Sequence, residues 1–192
     1  MKTIAQTLFL ALALNLAPAA FAQHQNFTVN PDTSKVAFAL GGNTHHVDGT
    51  FHVQSGSIDF DRGAQTISGS IVVAAGSGNS GDKGRDKKML TDILDVAHFA
   101  DVTFAPRSFQ GTVAATGDST IQVTGSFTLH GTPHDLTVPM QLHVEGGNLT
   151  AKTQFIVPYV QWGLKAPSFF GAKENGDVTI NLTLAGRLSS AN

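Results

Sequence analysis

The chain has 192 residues, 41% of them hydrophobic and 14% charged, with a formal net charge of −2 at pH 7. That balance excludes a basic nucleic-acid binder and a protein held electrostatically on an anionic membrane. The absence of cysteine excludes disulfides, thiolate metal sites and lipoprotein acylation.

Residues 1–22, MKTIAQTLFLALALNLAPAAFA, read as a secretory signal peptide. One Lys precedes an apolar run from Leu8 to Leu16, and small residues end in Ala20-Phe21-Ala22, an A-x-A cleavage site. Cleavage is expected after Ala22, which makes the protein periplasmic or secreted. The run is too short for a transmembrane helix and is interrupted by Asn15 and Pro18. Residues 23–192, about 170 of them, then suffice for one domain with its own core, and loss of Lys2 moves the charge to −3.

From there the chain alternates apolar and polar residues. Phe27 to Val29 is a short strand, and Asn30-Pro31-Asp32 is a turn. Val36, Phe38 and Leu40 share one face of the next strand, which Gly41-Gly42-Asn43 turns. His46 to Val53 is expected as one strand, and Gly56 to Phe60 with Ile67 to Val73 as the next pair, joined by Asp61-Arg62-Gly63.

Between Gly84 and Phe104 the period changes. Behind a Gly/Ser-rich leader, GSGNSGD, residues Met89, Leu90, Ile93, Leu94 and Ala97 recur every three or four positions, predicting an amphipathic helix of three to four turns. Its apolar face needs something to cover, and the end of a barrel is the natural candidate. Past it, Val102 to Ala105 and Ser108 to Val113 are strands. Ile121–Leu129, Leu136–Val144 and Val178–Leu184 alternate strictly, as a sheet with one dry and one wet face requires. Pro139 inside such a run predicts an edge or a bulge. Leu149 to Val157 is a further strand, and Pro158 to Asp177 an irregular loop. Eight to ten antiparallel strands with short turns predict a single all-β barrel of about eight strands, with one helix capping an end.

Enzyme and metal signals are weak. His130-Gly-Thr-Pro-His134 has metal-pair spacing but reads as a hairpin with its turn at Gly131-Thr132-Pro133, and no acidic residue completes a set, so no metal and no catalytic residue is assigned. Gly76 to Lys83 fails as a phosphate loop, because the Lys is displaced and no Ser or Thr follows. Thirteen Phe residues stand against one Trp and one Tyr. The inward face is either a packed core or a cavity for a long apolar ligand, and periodicity alone does not separate the two.

The segments Asn30-Pro31-Asp32-x-Ser34-x-Val36-x-Phe38, Val47-Asp48-Gly49-x-Phe51, Gly56-x-Ile58-x-Phe60-Asp61, Arg85-Asp86-x-x-Met89-Leu90, Phe99-x-x-Val102-x-Phe104, Gly125-x-Phe127-Thr128-Leu129-His130-Gly131 and Val178-x-Ile180 follow one another in an order that resembles the YceI-like proteins. These are exported polyisoprenoid-binding domains with a lipocalin-like barrel. The family usually has Asp at Asn30, His at Thr33 and Pro at Ala100, differences that touch turns. The resemblance implies an elongated pocket for a polyprenyl phosphate or a quinone tail, with no other cofactor. Its expected walls are Phe38, Phe51, Phe60, Met89, Ile93, Phe99, Phe104, Phe127, Leu129, Met140, Leu142, Phe155 and Trp162. Burying a CH₂ is worth about 0.8 kcal/mol, which is taken as enough for a chain of several isoprene units to leave a membrane. Arg85 and Lys88, with Lys87 and the first-turn N–H groups, are the candidates for a headgroup.

The expected partners are an isoprenoid lipid or quinone and, transiently, a membrane; monomer and homodimer both stay open. Two further readings remain, an outer-membrane β-barrel and an enzyme using His45, His46 or His130.

Overall fold

Strands form here because β-branched and aromatic residues alternate with polar ones over long runs, and turns form where Gly, Asn and Asp interrupt them. The computed structural model describes residues 24–41, 46–166 and 176–190; the signal peptide, the Gly42-Asn43 turn, His45 and much of the Pro158–Asp177 loop fall outside them. The strands are β1 (His24–Val29), β2 (Lys35–Gly41), β3 (His46–Asp61), β4 (Thr66–Asn79), β5 (Asp101–Gln110), β6 (Gly117–Leu129), β7 (Thr132–Glu145), β8 (Asn148–Val157) and β9 (Val178–Ser190). From β2 to β9 each pairs antiparallel with the next, and β9 returns to β2 to close the barrel.

β1 and β2 share one stave. Both lie between β3 and β9, β1 beside Ser57–Asp61 and Gly186–Ser190, β2 beside His46–Phe51 and Thr179–Thr183. The break between them is a 3₁₀ turn, Pro31–Thr33, capped by Asn30, whose side chain accepts from the Asp32 N–H. Ser34 Oγ accepts from the Ala185 N–H at 3.1 Å and ties the break to β9. Nine strands therefore make an eight-staved closed barrel, as the alternation predicts.

The structure corrects the predicted elements where the period hides a bulge. β3 is one strand of 16 residues, not two. Its inward residues shift from odd numbers (Val47, Phe51, Val53) to even ones (Ile58, Phe60) at a register shift between Val53 and Ser55, because a bulge changes face without ending the pairing. β4 runs on through Gly76–Asn79, read as leader from its composition. The β6–β7 turn is His130-Gly131, one residue earlier than expected, both with positive φ (52° and 73°), as a two-residue hairpin requires.

The helix is also shorter than its periodicity suggests. α1 (Lys83–Lys88) continues as a wider π-helical turn, Met89–Ile93. Asp95, at φ +46°, then ends it, and its carboxylate bonds His98 Nδ1 at 2.9 Å. Ala97 and Phe99 belong to the turn that follows.

α1 and the turn 158–165 after β8 lie at the same end of the barrel, here the upper end, with the β6–β7 connection. Two neighbouring pairs of staves are only partly zipped. β4 and β5 pair only from Ile71↔Phe104 to Ala74↔Asp101, which leaves the lower part of that contact without a ladder. β7 and β8 are paired only from Gln141↔Lys152 to Glu145↔Asn148, at the lower end. Pro139 stands just above the last pair, so the expected edge lies on its β8 side.

Candidate functional site: an apolar cavity with a polar cleft at its upper end

Inward-pointing side chains of all eight staves surround a cavity of about 260 Å³. The structure decides between the two readings of the interior. Phe51, Phe104, Phe127 and Phe155 point inward yet remain only partly buried, while Phe27, Phe38, Phe60 and Phe109 around them are buried. A packed core would have closed over them. The walls are almost entirely hydrocarbon, with Thr103, Thr153 and Tyr159 as the residues among them that carry a hydroxyl.

Of the predicted wall residues, Phe38, Phe51, Phe60, Met89, Ile93, Phe104, Phe127, Leu129, Met140, Leu142 and Phe155 line this cavity. Phe99 and Trp162 do not. The Phe99 ring packs outside, 4.1 Å from the His130 ring and over Gly131, where a Cβ would stand 2.5 Å from it. Trp162 stacks flat on His134, at 3.9 Å and 5° between planes, and leans on Phe127 at 5.8 Å. Phe109, Val36, Leu40, Tyr159 and Leu164 line the cavity without having been predicted to. Phe109 faces inward because β5 shifts register between Pro106 and Ser108, which breaks the period that carries Val102, Phe104 and Pro106.

The upper end is roofed by Met89, Ile93 and Leu94 on one side and by Tyr159 and Leu164 on the other. α1 is fastened in place by polar bonds. Asp86 accepts from the Ser80 N–H and hydroxyl, and Arg85 donates from Nε to Ser80 Oγ at 2.8 Å and from a terminal nitrogen to the Ser80 carbonyl at 2.9 Å. Asp82 caps the helix by accepting from the Arg85 N–H at 2.8 Å, which holds its carboxyl below the usual range.

These bonds engage part of the predicted headgroup site. The Arg85 side chain is bonded to Ser80, the Arg85 N–H is taken by Asp82, and Lys88 is exposed and does not line the cavity. A polar cleft lies between the helix end, the β6–β7 turn and the loop after β8. Thr91, Asp92, Asp95, His130 and Lys165 line it, and it shares Ile93 and Leu164 with the apolar cavity. No sequence signal joins these residues; the fold does.

The histidines do not gather. His46 pairs with Asp48 at 2.9 Å, His98 with Asp95, and His143 with Asp118 at 2.6 Å, all at exposed positions. Among the described residues no three His, Asp or Glu groups are placed to hold a metal. The Asp118 hydrogen bond raises the His143 pKa above its ordinary 6.5. The pair therefore supports folding below that ordinary value and loses its contribution as pH rises through the higher folded-state pKa. Asp118→Asn is expected to return the His143 titration, followed by NMR, towards 6.5; an unmoved midpoint would refute the hydrogen bond as the cause.

Outward positions of β7, such as Thr137, Gln141, His143 and Glu145, are exposed. Apolar inside and polar outside is the reverse of an outer-membrane barrel, which removes that reading.

Known proteins share this architecture. BcnA of Burkholderia cenocepacia aligns over 82% of this chain and 99% of its own with TM-score 0.68 and 20% identity. A polyisoprenoid binding domain from Saccharophagus degradans aligns over 85% and 98%, with TM-score 0.63 and 14% identity. The YceI protein of Campylobacter jejuni aligns over 77% and 88%, with TM-score 0.60 and 14% identity. A UPF0312 protein of Pseudomonas fluorescens is 33% identical over 103 residues, and that match spans about half of each chain, 53% of this one and 52% of the relative. The YceI-like domain model matches residues 27–185, from the first inward Phe of β1 into the last stave, and the chain belongs to the YceI-like family.

Proposed function

We propose that the protein is an exported carrier or buffer for an isoprenoid lipid, holding the hydrocarbon chain in the barrel and the polar end in the cleft beside His130 and Lys165. The observation that carries this reading is the unfilled barrel interior walled by hydrocarbon. The polyisoprenoid-binding neighbour from Saccharophagus degradans supports the choice of ligand class. The cleft contains two carboxylates, Asp92 and Asp95, beside the ammonium of Lys165, so it favours a neutral, hydrogen-bonding end such as a prenol or quinone over a phosphate. The protein holds this ligand without transforming it, and acts outside the cytoplasm after cleavage behind Ala22.

The energetics set the direction of the argument. Relative to water, each five-carbon unit buried is worth about 3–4 kcal/mol. Relative to a bilayer the gain nearly cancels, since lipid tails are as apolar as the cavity. The expectation that burial alone draws the chain from a membrane therefore fails on physical grounds. Transfer between the two is close to balanced, and what matters is a path that avoids water. The test is whether protein prepared without detergent carries a bound isoprenoid and begins at Gln23.

A further inference from the structure

Two parts of the barrel wall are not zipped, the β4–β5 contact below Ile71↔Phe104 and the upper half of β7–β8, and only the second has the Trp162 turn against it. β6 pairs with β7 from Thr132 to Val144, and β9 pairs with the whole of β8. Between β7 and β8 the ladder stops at Gln141↔Lys152, so residues 132–140 and 153–157 face each other across a seam. The sequence keeps it open, because Pro133 and Pro139 both fall in this stretch of β7 and bring no N–H to a new partner. Thr153 Oγ1 is buried there without a hydrogen-bond partner. Leu136 and Val138 on one lip, and Phe155 and Val157 on the other, line the cavity. The seam opens onto hydrocarbon.

What covers it is the turn 158–165. Three of its backbone bonds close on itself, Trp162 N–H to Pro158, Gly163 N–H to Val160 and Leu164 N–H to Tyr159, each at 3.0 Å, and a fourth ties Val160 N–H to the Gly176 carbonyl ahead of β9 at 3.2 Å. The turn reaches β7 through the Trp162 ring on His134, a face-to-face contact that separates without breaking a backbone bond. Beside it, Ile156 and Val160 are 58% and 38% exposed, the large hydrophobic side chains most open to solvent among the described residues. α1, by contrast, is fastened over the upper mouth through Ser80.

We propose that the isoprenoid chain passes sideways through the β7–β8 seam, directly between bilayer and cavity, with Trp162 as the latch. This rests on the lipid-binding reading above, and gives the balanced transfer its water-free path.

The chain has no cysteine, so cross-links can be placed at will. His134→Cys with Trp162→Cys, joined by a short bis-maleimide, shuts the seam. Thr124→Cys with Thr137→Cys joins two exposed residues of the fully paired β6–β7 ladder, whose hydroxyls are 2.8 Å apart, and serves as the control. The readout is the rate at which radiolabelled geranylgeraniol moves between phosphatidylcholine vesicles and the protein. Joining the seam is expected to slow uptake and release by about tenfold or more, joining the control to change neither, and Trp162→Ala to speed both. A seam-joined protein that exchanges at the wild-type rate overturns the lateral path. If the joined protein does not fold, an unchanged rate in Trp162→Ala overturns it instead. Wild-type protein that takes up no prenol overturns the lipid-binding reading itself, which is a different failure.

Discussion

Replacing Phe127 by arginine is expected to weaken isoprenoid loading by at least about a hundredfold, equivalent to about 2.7 kcal/mol. Phe127 stands on β6 near the upper end, with its ring 6.0 Å from Phe155 and 5.8 Å from Trp162. A guanidinium there either stands in a channel with no polar wall to receive it, at a cost of several kcal/mol, or folds back across the mouth. Both outcomes take the space that the chain needs. Because Phe127 is only partly buried, the barrel itself is expected to survive the change. Gln122→Arg, on the exposed face of the same strand, should load as the wild type does. Equal loading in the two variants, measured by extraction of bound lipid after gel filtration, would show that the inward face does not hold the ligand.

The largest effect on stability is expected at Gly186. It lies on β9, opposite Val29 of β1 and Leu149 of β8, where three staves approach closely. A Cβ there would stand 2.1 Å from the Thr28 carbonyl oxygen and 2.9 Å from the Phe27 ring. The carbonyl cannot retreat without breaking the β1 ladder, so Gly186→Val should cost about 3 kcal/mol or more. Gly76→Ala is the matched control, because nothing lies within 4 Å of its Cβ position. Urea unfolding midpoints should fall steeply for the first and stay within about 0.5 kcal/mol of wild type for the second. Coincident midpoints would refute the close approach of β1 and β9.

What the sequence makes legible follows from how burial writes itself into period two. β6, β7 and β9 each face the cavity on one side and water on the other, so Ile121–Leu129, Leu136–Val144 and Val178–Leu184 declare their inward faces without ambiguity. β3 and β5 each carry a bulge, and there the same rule misleads: it ends β3 early and misses Phe109. The apolar spacing through Ala97 overstates the helix because periodicity has no term for Asp95 leaving the helical region. Arg85 looks like a ligand for a headgroup because charge is visible in a sequence, whereas its bonds to Ser80 are not. Phe99 and Trp162 look like cavity aromatics, but a gap over Gly131 and the face of His134 receive them instead. The polar cleft was illegible for another reason. Its residues come from three separate connections, and only the closed barrel brings Thr91, His130 and Lys165 together. Pro139 did signal an edge, and the structure locates that edge at the unpaired upper half of the β7–β8 seam.

The central claim is that this barrel holds an isoprenoid chain. Its most direct test is native mass spectrometry of the full chain expressed with its leader and recovered from the periplasm without detergent, followed by organic extraction. The account predicts a protein beginning at Gln23 with bound species that differ by five-carbon units, and uptake of geranylgeraniol by any unloaded fraction. A protein that carries nothing and takes up neither prenol nor quinone would contradict it.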